Sequence, residues 1–349
     1  MVITVITKPL LYCNVLCKHC SVNHRFLSNL DSAFYVRALE TIVSFVERET
    51  EERVSKIEII WHGGEPMLAG VDFYKKTYKE VNNRFEKKGI FVNHSLQTNL
   101  IAYDSSWNEV MRDVFRWQVS TSYDFFSNLR PYDLEFFLNK LKAYQDASGD
   151  GGYVICVLNQ QNKDKVLEIC EIADEHKFSL KLNYLYPVGR GKQLESFGIG
   201  EYGEAIVKVF RERERFGVKI FPVDYFIEYY EGKRLELPCP ITSNCVGRIF
   251  CLLPDGSIYL CGEMSDLGEG QIGKVGDREE IWFHEYFKLL EKVAVLKDEC
   301  LECKLCMGGC IKQRILYGEE NGVTAFCRVW KDFGKEAKKI VSKKQKLES

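Results

Sequence analysis

The chain has 349 residues, of which 46% are hydrophobic and 28% charged. This composition is typical of a globular protein with one large or two smaller domains. The formal net charge of −2 gives no reason to expect nucleic acid or an acidic membrane as a partner. The chain has no apolar stretch near the roughly 18 residues of a membrane span and no signal-peptide pattern, so we expect a cytoplasmic protein.

Strand-like and helix-like segments alternate up to about residue 220. One helix-like segment carries Val36, Leu39, Ile42, Val43 and Val46 on one face, and another runs from about Asp133 to Ala147. This alternation predicts a parallel sheet with right-handed crossovers, and six such units would form an open, partial (β/α)6 barrel of the TIM type. The predicted strands are Val2–Ile6, Lys56–Trp61, Phe91–Gln97, Trp117–Ser122, Tyr153–Leu158 and Leu180–Tyr186.

The alternation is lost after about Leu235. The sequence there predicts one hairpin, with Phe250–Leu253 and Ser257–Cys261 joined through Pro254-Asp255-Gly256. The last 20 residues are rich in lysine and indicate a solvated helix or a frayed tail, with a docking surface for an acidic partner as the alternative.

Fourteen cysteines are too many for a cytosolic chain unless they have a specific role. Thiols stay reduced in the cytosol, so clustered cysteines there indicate metal ligands. Eleven of the fourteen fall into spaced groups, three near the start and eight after residue 238. The other three, Cys156, Cys170 and Cys251, are predicted to be buried free thiols.

The first group, Cys13-x3-Cys17-x2-Cys20, directly follows the first predicted strand. Active sites of such folds lie at the carboxyl ends of the strands. Three thiolates so close together can hold three corners of a [4Fe–4S] cluster and leave the fourth iron open to a substrate or cofactor. A structural zinc site would normally need four protein ligands.

A second motif, His62-Gly63-Gly64-Glu65-Pro66, follows the second strand. Its glycines would let the backbone approach a ligand closely, and Glu65 offers a carboxylate to an ammonium group. The alternative is a turn with a surface glutamate. The two motifs together resemble the radical S-adenosylmethionine (SAM) superfamily, although His19 stands where that family usually has an aromatic residue.

This resemblance implies an oxygen-sensitive enzyme that binds SAM at the open iron. An electron from the cluster would split SAM into methionine and a 5′-deoxyadenosyl radical. The resemblance also implies further SAM contacts after the third and fourth strands, where turn or helix-capping roles are the alternative. The implied SAM-binding residues are Gly63, Gly64, Glu65, Gln97, Asn99, Ser122 and Arg130. Arg130 suits a carboxylate because its planar guanidinium can bind both oxygens.

The eight C-terminal cysteines resemble the SPASM extension of radical SAM enzymes, which holds two auxiliary [4Fe–4S] clusters. The resemblance implies one cluster on Cys239, Cys245, Cys261 and Cys310, and a second on Cys300, Cys303, Cys306 and Cys327. Two residues separate Cys303 from Cys306 where the family usually has five, which leaves the third ligand of that run open. A zinc ribbon is the alternative for the tail, but it would explain only four of the eight cysteines.

Closed auxiliary clusters would accept electrons, so we expect oxidation of a peptide: a cross-link of the kind made in ribosomal peptide maturation, or oxidation of a side chain. Sulfatase maturation is an alternative, but the aspartate that usually follows the cysteine of Gly-x4-Cys in those enzymes is Gly262 here. Glu263 is the candidate base. Biosynthesis of a redox cofactor or tetrapyrrole, and a multi-cluster electron carrier without catalysis, are further alternatives.

The resemblance divides the chain into a core (1–220), a bridge (221–238), a SPASM domain (239–330) and a lysine-rich C-terminal segment (331–349). The expected cofactors are three [4Fe–4S] clusters and SAM. Expected partners are a peptide or protein substrate and an electron donor such as flavodoxin or ferredoxin. The chain has no room for a leader-binding domain before Cys13, so a separate leader-binding protein is also considered.

Overall fold

The structure is a computed structural model that describes residues 1–294, 298–317 and 323–348. Its centre is a ten-stranded sheet in the order β10-β9-β8-β1-β2-β3-β4-β5-β6-β7. The strands are β1 (Val2–Thr7), β2 (Lys56–Trp61), β3 (Phe91–Gln97), β4 (Val119–Ser122), β5 (Tyr153–Leu158), β6 (Ser179–Tyr184), β7 (Ile220–Phe221), β8 (Ile249–Leu252), β9 (Ser257–Tyr259) and β10 (Gln271–Lys274).

Helices connect and cover the strands. They are α1 (Ser32–Thr50), α2 (Val71–Glu86), α3 (Asn108–Asp113), α4 (Leu134–Ser148), α5 (Val166–Glu175), α6 (Ile199–Arg211), α7 (Val223–Tyr230), α8 (Gly262–Leu267), α9 (Glu279–Ala294), α10 (Asp298–Cys303), α11 (Ile311–Leu316) and α12 (Cys327–Glu348). Short 3-10 turns lie at Pro66–Ala69, Ser105–Trp107, Lys163–Lys165, Gly189–Gln193 and Arg213–Arg215.

Strands β1 to β7 are all parallel to their neighbours, as the alternating pattern predicts. Each strand of the core alternates buried and partly exposed residues, and the helices pack on the outer face. Asp133 caps α4 by accepting a hydrogen bond from the backbone N–H of Phe136 at 2.8 Å. The predicted partial barrel is confirmed.

Several predicted boundaries were wrong by a few residues. Strand β4 begins at Val119 and not at Trp117, because Arg116 and Trp117 have φ values of 51° and 58°, which no strand accommodates. Strand β6 ends at Tyr184, two residues before the predicted end. Strand β7 has only two residues and was not predicted.

The C-terminal hairpin continues the core sheet. Gly256, with φ of 86°, makes the predicted turn between β8 and β9. Strand β8 also pairs in parallel with β1, with Thr4 opposite Ile249 and Thr7 opposite Leu252, a pairing that the sequence did not predict. The hairpin therefore brings the cysteine region against the first strand of the core.

Helix α12 is amphipathic, and the expectation of a solvated helix or frayed tail was wrong for one of its faces. Trp330, Phe333 and Ala337 are buried where the helix packs against α6 and α7, while its lysines face solvent. The single cysteines Cys156, Cys170 and Cys251 are fully buried, as predicted. Within the described ranges, no helix is long and apolar enough to cross a membrane.

Candidate active site

One cavity of about 250 Å³ lies at the carboxyl ends of the core strands. The three N-terminal cysteines and all of the SAM-binding residues implied by the resemblance line it, as does the candidate base. These residues are Cys13, Cys17, Cys20, Gly63, Gly64, Glu65, Gln97, Asn99, Ser122, Arg130 and Glu263. Positions spread over 250 residues of sequence thus share one site, as a parallel sheet with its loops at one edge would place them.

The cysteine loop leaves β1 and folds back over the cavity. Cys17 is buried and the other two thiols are half-buried. Burial raises the pKa of Cys13 to about 11. Each sulfur has a nitrogen close by: Asn99 Nδ2 lies 3.8 Å from Cys13, Arg130 Nη1 3.7 Å from Cys17, and His24 Nε2 3.3 Å from Cys20. Such N–H groups stabilise cluster-bound thiolates, so the donor set fits an iron–sulfur cluster.

The two glycines of the second motif pack against the cysteine loop. A Cβ on Gly64 would lie 1.8 Å from the carbonyl oxygen of Tyr12, and one on Gly63 would lie 2.5 Å from that of Leu10. The backbone N–H of Gly64 donates to the Leu10 carbonyl at 3.1 Å, and that of Glu65 donates to the Tyr12 carbonyl at 3.0 Å. The glycines thus allow two stretches of protein backbone to approach each other closely, and both residues also line the cavity.

The carboxylate of Glu65 is almost fully buried and joins the second and third strand ends. Its Oε1 accepts from the Met67 N–H at 3.0 Å and from Thr98 Oγ1 at 2.6 Å, and its Oε2 accepts from the Asn99 N–H at 2.8 Å. Burial raises its pKa, against the opposing effect of these hydrogen bonds. A carboxylate accepts about four hydrogen bonds, so one lone pair remains for a ligand ammonium group.

The polar residues after β3 and β4 form a connected group. Gln97 Nε2 donates to Ser122 Oγ at 3.0 Å, and the hydroxyl of Ser120 donates to Gln97 Oε1. Asn99 Nδ2 donates to Asn14 Oδ1 at 2.8 Å and so ties β3 to the cysteine loop. These side chains are oriented before any ligand binds.

Arg130 forms a salt bridge with Asp124, a residue for which no role was predicted from the sequence. Arg130 Nε donates to Asp124 Oδ2 at 2.7 Å, and His19 Nε2 lies 3.5 Å from the same oxygen. Burial alone would raise the pKa of Asp124, but the charge of Arg130, helped by His19, holds it below the usual value. An aspartate just after a strand and six residues before the arginine was the signal that could have identified it.

The C-terminal cysteines include two groups of thiols that influence one another electrostatically. Cys310 interacts electrostatically with Cys239, Cys245 and Cys261. Burial, together with the nearby Cys327, Cys300 and Cys303, raises the pKa of Cys306 to about 12. Cys251 belongs to neither group and donates from its Sγ to Ser265 Oγ at 3.4 Å.

The spacing of the C-terminal cysteine side chains can be compared with that of a zinc site, the alternative for this region. Within residues 1–294, 298–317 and 323–348, no three His, Cys, Asp or Glu side chains converge as ligands of a single metal ion. The thiolates of a cubane cluster lie further apart than those of a zinc site, because each thiolate holds a different iron.

No family model matches the chain, but curated proteins do. A cysteine-type anaerobic sulfatase-maturating enzyme of Clostridium perfringens strain ATCC 13124 is 22% identical to this chain. The alignment has 376 residues and covers 92% of each protein. The chain is 23% identical over 328 residues to a serine-type anaerobic sulfatase-maturating enzyme of Klebsiella aerogenes, covering 85% of this chain and 76% of the relative.

Solved structures show the same fold. Native anSMEcpe with bound AdoMet and Kp18Cys peptide has a TM-score of 0.76 at 21% identity and covers 98% of this chain and 99% of that one. Streptococcus suis SuiB bound to the precursor peptide SuiA has a TM-score of 0.62 at 14% identity, covering 93% of this chain and 76% of that one.

The resemblance that the motifs predict is thereby confirmed: the chain is similar in sequence to anaerobic sulfatase-maturating enzymes and in fold to anSMEcpe and SuiB. Its fold is a partial barrel with a cysteine-rich C-terminus of the SPASM kind. It is similar to sulfatase-maturating enzymes along nearly its whole length.

Proposed function

We propose that this enzyme binds SAM and a [4Fe–4S] cluster in the strand-end cavity and oxidatively modifies a peptide. When bound, the cluster supplies the electron that cleaves SAM to a 5′-deoxyadenosyl radical. The observation that carries the proposal is that Cys13, Cys17 and Cys20 line the same cavity as the seven proposed SAM contacts. These residues come from separate motifs along the chain, so the explanation of any one motif as a turn does not account for their meeting in one cavity.

Each polar residue of the site would bind a different group of SAM. Glu65 presents its remaining lone pair to the SAM ammonium group, while Gln97 and Ser122 offer polar groups to the ribose. The guanidinium of Arg130 would attract the SAM carboxylate, although its Nε already faces Asp124. The hydrogen-bonded network keeps these groups in place, which lowers the entropy cost of binding.

Two auxiliary clusters are proposed on the C-terminal cysteines. The first would use Cys239, Cys245, Cys261 and Cys310, and the second Cys300, Cys303, Cys306 and Cys327. The two electrostatic groups of thiols support this division. With four protein ligands each, these clusters would take up an electron from the substrate radical and so complete its oxidation. The proposed organisation keeps a core (1–220), a bridge (221–238), a SPASM domain (239–330) and a C-terminal segment (331–349).

The proposed partners are a peptide substrate and a low-potential electron donor such as flavodoxin or ferredoxin. The peptide partner is supported by the relatives, since anSMEcpe binds Cp18Cys and Kp18Cys peptides and SuiB binds a precursor peptide. We also propose a separate leader-binding protein as a partner. Reduced thiols in such number fit a cytoplasmic location.

The test is SAM cleavage by protein reconstituted under anaerobic conditions with a strong reductant. We expect 5′-deoxyadenosine, and iron analysis should give about 12 iron atoms per chain, falling to about 8 when Cys13, Cys17 and Cys20 are replaced by alanine. Intact clusters without 5′-deoxyadenosine would instead favour an electron carrier. A wild-type value near 4 would exclude the auxiliary clusters.

Sulfatase maturation is the second candidate, and one structural feature favours it. Glu263 lines the cavity although the usual aspartate position is Gly262. Cys261 caps the N-terminus of α8, and the turn that follows directs Glu263 to the site. Incubation with a cysteine-containing sulfatase peptide separates the candidates: mass spectrometry would show conversion of the cysteine to an aldehyde with loss of sulfur, or loss of two hydrogens in a cross-link.

A further inference from the structure

Lys312 is a buried cation beside the cavity, and neither the motifs nor the relatives assign it a role. It lies in α11, and its side chain is only 2% exposed. Its Nζ lies 2.5 Å from Glu263 Oε2 and 3.2 Å from the centroid of the Tyr186 ring. Burying an ammonium group is costly unless it is paired, so the position of Lys312 depends on these two partners.

Both neighbours of Lys312 line the cavity, and Tyr186 is fixed by hydrogen bonds of its own. Tyr186 OH accepts a hydrogen bond from Gln313 Nε2 at 2.7 Å, and Gln313 Oε1 accepts from Thr324 Oγ1 at 2.9 Å. Gln313 is fully buried, so this chain of contacts fixes the ring over which Lys312 lies.

Glu263 is held differently, because its side chain is 58% exposed. Lys312 takes one of its two carboxylate oxygens. The other, Oε1, receives no hydrogen bond from any residue in the described ranges and is open to a ligand. Lys312 thus holds one oxygen of the carboxylate, and the Glu263 side chain lines the cavity.

We propose that Lys312 is a positioning residue for Glu263, and that Glu263 Oε1 accepts a hydrogen bond from the peptide substrate. The group recognised would be a backbone amide, a hydroxyl or a thiol, because each donates to a carboxylate. This inference rests on the proposed function, since it assigns a contact to the peptide that binds in the same cavity. Without Lys312 the flexible side chain of Glu263 would have many rotamers to lose on binding.

The test uses the reconstituted holoenzyme with SAM and a cysteine-containing sulfatase peptide as the probe. Lys312→Met should raise KM for the peptide about tenfold, the effect of one charge-assisted hydrogen bond. Lys312→Arg should restore most of the affinity. Glu263→Leu should raise KM similarly, and the double variant should be no worse than either single one. Iron content and SAM affinity should stay unchanged in all of them.

Lys343→Met is the matched control, because it removes a lysine whose exposed ion pair with Glu214 lies far from the cavity. Its KM should equal that of the wild type. A merely structural role of Lys312 would lower iron content and kcat together and leave KM alone. If Lys312→Met loses iron, the KM of Glu263→Leu for the peptide decides whether Glu263 binds the substrate, because Glu263 is exposed.

Two results would overturn the inference, and they differ from each other. If the wild type modifies the peptide and Glu263→Leu has an unchanged KM, the inference is wrong and the proposed function stands. If the wild type makes no 5′-deoxyadenosine, or makes it but leaves every peptide unmodified, the proposed function fails and takes the inference with it.

Discussion

Ser21 donates a hydrogen bond from its hydroxyl to Asp266 Oδ2 at 2.6 Å, and so links the cysteine loop to α8. The other oxygen of the same carboxylate accepts from Lys8 Nζ at 2.6 Å. Ser21 follows Cys20 directly, and Cys261 caps the N-terminus of α8. One aspartate therefore connects the region of the proposed SAM cluster to that of a proposed auxiliary cluster. We infer that this contact sets the distance between the two sites.

Replacing Lys8 with methionine should destabilise the protein by about 3 kcal/mol, because it leaves a buried carboxylate without its cation. Lys8 is 2% exposed. Burial works to lower its pKa, but Asp266 together with Cys251 and Glu263 outweighs this and raises it, so the lysine is charged at every physiological pH. The free energy of unfolding in urea measures the effect. Lys142→Met is the control, since its pair with Asp146 is exposed and should cost under about 0.5 kcal/mol. Equal losses for the two variants would contradict this prediction.

Replacing Gly64 with alanine should prevent the cysteine loop from closing on the second strand end. The added Cβ would lie 1.8 Å from a backbone carbonyl, which cannot move without displacing Cys13. We expect a loss of about 4 iron atoms per chain, with the other clusters retained, measured by iron analysis and absorbance. Gly200→Ala is the control, because no atom lies within 4 Å of its added Cβ, and it should keep all its iron.

Local sequence pattern predicted strands β2, β3 and β5 to the residue. They are bounded by turns, and most of their buried positions are apolar. The site was predictable for a related reason: in a parallel sheet every strand end faces the same edge, so polar residues after successive strands must meet.

Contacts between distant segments were not predictable from one sequence. The pairing of β8 with β1 joins residues more than 240 positions apart, and no local propensity encodes it. For the same reason the contacts of Asp266 with Ser21 and of Lys312 with Glu263 could not be predicted from local pattern. The motifs identified which residues form the site, but the residues that hold them in place follow from the tertiary structure.

Stability should rise with pH between about 3 and 6.5 because of His94. This residue is buried and neutral: burial lowers its pKa to about 3, and Trp61 Nε1 donates to its Nδ1 at 3.1 Å. The unfolded histidine has a pKa near 6.5 and binds a proton in this window that the folded one does not, so folding becomes less favourable as pH falls. The slope due to His94 should approach 1.4 kcal/mol per pH unit and vanish above about pH 7.

The contribution of His94 can be separated from that of other histidines by comparison with His94→Gln. Glutamine can accept the same hydrogen bond from Trp61 but does not titrate. The difference in the free energy of unfolding between the two proteins should change between pH 4.5 and pH 7. A constant difference over that range would show that His94 has the same pKa in the folded state as in the unfolded state.

Cys306 and Cys251 give opposite predictions for the auxiliary clusters. Cys306 lies in the shortened loop and is electrostatically coupled to Cys300, Cys303 and Cys327, so Cys306→Ala should remove about 4 iron atoms per chain. Cys251 is also buried, but it donates to Ser265 Oγ and its pKa is influenced by the charge of Lys8. Cys251→Ala should therefore keep all its iron. Iron analysis after anaerobic reconstitution measures both. Loss of iron from Cys251→Ala with retention in Cys306→Ala would assign the third ligand to Cys251, whose thiol would then have to leave its buried position between β1 and α8.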